Sequence, residues 1–133
     1  MLNHLKYLLL FLCITPWPLN AQQNQTKPFF LGILGGNGHN CYGKFTVTKK
    51  WLTWNARFDK CIRVPYTVVE QKQEGKHIFI EFRIGEDAKC PFHLLTMEQG
   101  AEDSRAQLGW EVRGFESESG LKNDMDDLGC LLY

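Results

Sequence analysis

His77–Ile84 is the stretch whose alternation most restricts the fold. Ile78, Ile80, Phe82 and Ile84 fall on one side, and His77, Phe79, Glu81 and Arg83 on the other. An extended backbone points successive side chains to opposite faces. Eight residues of period two therefore describe a strand with one face in a core and one in water. Nowhere does the chain sustain the three-and-four spacing of an amphipathic helix. Shorter stretches of strand character flank this one: Tyr42–Thr48, Trp51–Asn55, Val64–Gln71, Cys90–Met97, Leu108–Phe115 and Cys130–Tyr133. Turn-forming residues separate them, such as Gln73-Glu74-Gly75-Lys76. The expectation is an all-β fold: a small antiparallel meander of about seven strands closing into a barrel or sandwich.

The organisation along the chain follows from composition. Residues 1–21 carry Lys6, an apolar run Tyr7–Leu12 and the small residue Ala21 before Gln22, the layout of a secretory signal peptide. Pro16 and Pro18 interrupt the run, and it is well short of the ~20 apolar residues a membrane span needs. Residues 22–40 read as a flexible lead-in and Gly-rich loop, with Pro28–Leu34 as a short strand or tucked arm. Residues 41–133 read as a single β domain. Cleavage after residue 21 removes Lys6 and leaves 14 basic and 15 acidic side chains. A net charge this near zero gives no reason to expect a nucleic-acid partner, and no membrane anchor is expected after cleavage. The expected location is secreted or periplasmic.

Outside the leader the cysteines are Cys41, Cys61, Cys90 and Cys130. Four cysteines in a small exported chain read as two disulfides. Their spacing offers no CxxC knuckle for zinc. If strand direction alternates, all four lie toward one end of the sheet, and topology forbids none of the three pairings. Cys61 with Cys90 is favoured, because it ties strands flanking the third-to-fourth hairpin. Cys41 with Cys130 then staples the first strand to the last.

Catalytic and metal motifs are weak. Gly38–Phe45 (GHNCYGKF) nearly matches a phosphate-binding loop, but Phe45 stands where the Mg²⁺-holding hydroxyl belongs. Asp124–Gly129 has carboxylates in calcium-loop spacing, but Leu128 falls on the third ligand position. Ser104, Ser117 and Ser119 lack a nucleophile-elbow setting. His39, His77 and His93 form no close pair along the sequence. No cofactor, no metal and no enzyme activity are expected, with a scattered hydrolase site around His93 and the acidic loop as the remote option.

The aromatic residues carry the binding expectation. Trp51 and Trp54 fall on opposite faces of one strand, and Phe79 lies on the water-facing side of its own. An exposed ring on a sheet offers a partner large contact area at low entropic cost. The leading expectation is an exported non-catalytic binding protein that contacts another protein through loops or an aromatic sheet face. The alternative is a barrel carrying a small apolar ligand, with Trp54 or Trp110 lining its cavity. In architecture alone, a disulfide-bonded exported meander resembles the lipocalin-like barrels and the small periplasmic lysozyme inhibitors. Gly43-Lys44-Phe45 lacks the tryptophan of the lipocalin G-x-W, and the inhibitors' serine- and lysine-bearing loop motifs have no counterpart. The resemblance therefore implies a fold and carries over no functional residue.

Overall fold

The computed structural model describes residues 26–86, 88–102 and 105–133. The expected leader, residues 1–21, lies outside them. The described strands are β1 (Gly32–Gly36), β2 (Gly43–Val47), β3 (Trp51–Asn55), β4 (Lys60–Glu74), β5 (His77–Ile84), β6 (Leu94–Gln99), β7 (Trp110–Phe115) and β8 (Leu128–Leu132). Each pairs antiparallel with its neighbour, and β1 meets β8 at Gly36–Leu132, closing a barrel in simple meander order. Closure leaves no free pair of long edges.

The barrel has eight strands where the sequence leads one to expect about seven. The barrel begins with β1, inside the stretch read as lead-in and loop. Three of its five residues are glycine, so the alternation that marks a strand is almost erased. Only Leu34 (inward) and Ile33 (outward) show it. Gly36 is required by crowding: a Cβ there falls 1.9 Å from Cys41 O.

Two other boundaries move. The expected strand from Cys90 starts only at Leu94. Pro91 has no N–H for a ladder, and Cys90–His93 crosses the mouth of the barrel, placing the Phe92 ring inside. The strand expected from Leu108 starts at Trp110. Leu108 N donates to Arg105 O at 3.0 Å, closing a 3-10 turn (Arg105–Gln107) that leaves its side chain exposed. Between β7 and β8 lies a short helix, α1 (Glu118–Lys122). Ser117 caps it, its Oγ accepting from Gly120 N at 3.2 Å.

Alternation explains the core. Inward residues from all eight strands form one cluster that includes Phe45, Trp54, Tyr66, Phe82, Met97 and Trp110. The rings pack edge-on and tilted: Phe45–Trp54 at 5.8 Å, Tyr66–Phe82 at 5.2 Å and Trp54–Phe92 at 5.6 Å between centroids. Phe92 fills one end. At the other end Phe30, on the arm before β1, packs 5.0 Å from Trp110. Gln71 anchors that arm twice: its Oε1 accepts from Phe29 N, and its Nε2 donates to Lys27 O.

The disulfides are Cys41–Cys130 and Cys61–Cys90, the favoured pairing. Both sit at the Phe92 end. The first ties the β1–β2 turn to β8; the second ties the mouth-crossing loop to β4. Such cross-links fit an oxidising compartment.

Candidate functional site

The four aromatic residues expected to bind divide sharply. Trp54 (1% exposed) and Trp110 stand inside the barrel, held by Phe45, Phe92 and Phe30. Trp51 is 39% exposed on the outer face of the same strand as Trp54, as alternation requires. Phe79 is half-buried on the outside of β5, opposite Lys72 on β4 and Glu98 on β6. The structure brings no two of these four together on one outer surface.

It does gather other residues around Trp51. Outward positions in register run Ile33 (β1), Thr46 (β2) and Thr53 (β3), and then reach β4 at a bulge. The β3–β4 ladder shifts by one residue between Leu52–Val64 and Trp54–Cys61. The extra residue puts Ile62 and Arg63 outward in succession, while Cys61 and Val64 both point in. Arg63 takes the left-handed conformation, φ 50°, which costs a non-glycine residue about 1–3 kcal/mol. Thr53 Oγ1 holds it there by accepting from Arg63 N at 3.0 Å. The Arg63 guanidinium lies over the Trp51 ring, 5.9 Å from its centroid. The next register row outward is Gly35, Lys44, Asn55 and Lys60.

This face is both apolar and cationic. Ile33 is 65% and Ile62 52% exposed, and seven of the eleven exposed large apolar side chains among the described residues fall between Phe29 and Ile62. Lys44–Arg63 carries six cations and one carboxylate, Asp59; from Val64 onward there are seven cations and fourteen carboxylates. All the ion pairs among the described residues lie in that second part, for example Lys72–Glu70, His77–Glu98 and Arg83–Glu118. The cations of β2, the β2–β3 turn and the start of β4 are left without carboxylate partners among the described residues. A sum over the whole chain hides this segregation, and a sum by segment exposes it. Ile33 had no such signal, because Pro28–Leu34 read equally as a short strand or a tucked arm and its facing was not defined.

The other outer side is acidic. Glu81 faces Glu70 across β4–β5. Burial, and then the Glu70 carboxylate, push the Glu81 carboxyl above its ordinary range.

The motifs considered from sequence have structural roles. Gly38–Phe45 is a turn leading into β2 rather than a helix. Gly43 lets the end of β3 approach closely, since a Cβ there falls 1.7 Å from Asn55 O. The acidic loop is clasped by Arg113, whose Nη1 donates to Asp124 Oδ1 and whose Nη2 lies 3.5 Å from Asp126 Oδ1. Burial alone would lower the Arg113 pKa, but these hydrogen bonds hold it above its ordinary value. Asp127 Oδ2 accepts from Glu116 N at 2.7 Å. No group of three or more His, Cys, Asp or Glu among the described residues is placed to hold a metal ion. A surface cleft of ≈ 320 Å³ does bring His93, Glu116, Ser117 and Arg83 together. Within it, Ser117 Oγ is engaged by Gly120 N and Ser119 Oγ as the cap of α1.

No protein-family model, no curated protein and no solved structure matches the chain. What is established is a small disulfide-bonded β-barrel. No helix among the described residues is long and apolar enough to cross a membrane.

Proposed function

We propose that this is an exported, non-catalytic binding protein that contacts another protein through the outer face of β1–β4, centred on Trp51. One observation carries the reading. A large ring, 39% exposed, stands on the outer face of β3, and the same outer face carries exposed Ile33 on β1 and Ile62 on β4. Water-exposed apolar side chains clustered on one sheet face favour burial against a second surface. The two disulfides and the leader-like residues 1–21 support export into a secreted or periplasmic space.

Photo-crosslinking in the exporting host tests this. Benzoylphenylalanine at position 51 is expected to yield a discrete adduct with one protein, and the same residue at position 79 none. An adduct at 79 alone moves the contact to the other side of the barrel; no adduct at 51 ends the reading. Terminal sequencing of the released protein is expected to begin at Gln22.

A further inference from the structure

We infer that the partner of the Trp51 face is a protein surface rich in carboxylates interleaved with apolar or aromatic side chains. This rests on the proposed function and adds the partner's chemistry. Three observations bear on it. Lys49 and Lys50 lie in the turn before Trp51, Arg63 lies over its ring, and Lys44 and Lys60 face Asn55 at the other end of β3; all five are exposed, and none is paired with a carboxylate among the described residues. From Val64 onward, Lys72, Arg83, Arg105 and Arg113 have carboxylate partners, and Lys76, Lys89 and Lys122 lie in a part of the chain where carboxylates outnumber cations two to one. Cations left unpaired on one side give a field that attracts carboxylates and repels cationic surfaces.

Arg63 supplies the second observation. A bulge and a left-handed backbone place its guanidinium over Trp51. A planar fork so placed presents donors suited to a carboxylate, which a flexible lysine would not hold in one position. The third is the mixture itself. Ile33, Trp51 and Ile62 lie among the cations rather than apart from them. A purely anionic polymer has nothing to place against these three. A polypeptide with acidic and aromatic residues does.

The probe is a fluorescein-labelled random glutamate–tyrosine copolymer, compared with poly-L-glutamate and with heparin, read by anisotropy at two salt concentrations. The copolymer is expected to bind about tenfold more tightly than poly-L-glutamate and to weaken as salt is added. The face variant Lys44→Glu/Lys60→Glu is expected to lose about tenfold or more. The control Lys76→Glu/Lys122→Glu, with the same change in net charge, is expected to lose less than about threefold. Near-UV circular dichroism verifies that both variants fold.

Equal losses in the two variants would make the effect one of net charge and overturn the inference. Heparin binding more tightly than the copolymer, and lost in the face variant, would assign the face to an anionic glycan instead. Salt-sensitive self-association of the unmodified protein, abolished by the face variant, would assign it to the acidic side of a second copy. If position 51 crosslinks to a protein while the copolymer fails to bind, the binding function stands and the acidic partner falls.

Discussion

A side chain at Gly114 has no room, because the Phe92 ring occupies it: a Cβ built there falls 2.8 Å from three ring carbons. Phe92 belongs to the loop that Cys61–Cys90 pins across the barrel mouth, and Gly114 belongs to β7. The gap in one strand is the seat of the plug. Gly114→Ala is expected to cost about 1–3 kcal/mol by overpacking, and Phe92→Ala about 3–5 kcal/mol. The double variant should cost less than the sum, since the new methyl group takes part of the vacated space. Urea unfolding under non-reducing conditions measures all three; strict additivity would show that the two positions do not share that space.

Trp51 and Trp54 should respond oppositely. Trp54→Ala removes a ring packed against Phe45 and Phe92 and is expected to cost about 3–5 kcal/mol. Trp51→Ala loses an exposed cation–π contact worth about 0.5–1 kcal/mol and little else. The cost to binding should run the other way, with the crosslink partner lost only in the Trp51 variant. A large stability loss at Trp51 would mean that the outer face is packed against the molecule itself.

The two disulfides close chain segments of different length, 89 and 29 residues. Cross-linking reduces the freedom of the unfolded chain, and the longer loop reduces it more. Replacing Cys41 and Cys130 by serine is therefore expected to destabilise by about 1 kcal/mol more than replacing Cys61 and Cys90. Thermal unfolding of the two double variants gives the comparison. A larger loss for the Cys61–Cys90 pair would show that pinning the Phe92 loop outweighs chain entropy.

Glu81 sets a pH dependence whose sign is defined. Its folded-state pKa is raised by burial and by Glu70. The folded protein then binds this proton more tightly than the unfolded chain does. The associated stability is fully present below the ordinary glutamate pKa and is lost as pH rises through the folded value. Glu81→Gln is expected to raise Tm at neutral pH, with the gain disappearing below about pH 4. A gain that persists unchanged at low pH would assign the effect to something other than titration.

Residues with strong local patterns were legible without the fold. His77–Ile84 alternates over a full strand, and that strand is β5. Trp51 and Trp54 lie three apart in a regular strand, so one had to face out. Four cysteines in a small β chain read as two disulfides, with all three pairings open to the topology and the favoured one present in the fold. These conclusions need only the period of an extended chain and the chemistry of thiols. The amino-acid sequence by itself determined the β class, the meander and the cross-linked character of the protein.

Tertiary structure decided what depends on neighbours distant in sequence. β1 is a strand because β2 and β8 supply hydrogen bonds to its glycines, which carry no pattern of their own. Phe92 turns inward because Cys90 is tied to Cys61 and Gly114 leaves space across the barrel. Arg63 stands over Trp51 because an extra residue in β4 reverses the facing of the strand, and nothing in Cys61-Ile62-Arg63-Val64 announces a bulge. Trp110 meets Phe30, eighty positions earlier in the chain, only when the barrel closes. Local order is written in periodicity; the plugs, the bulge and the shared cationic face come from long-range packing, which brings together residues that no short window contains.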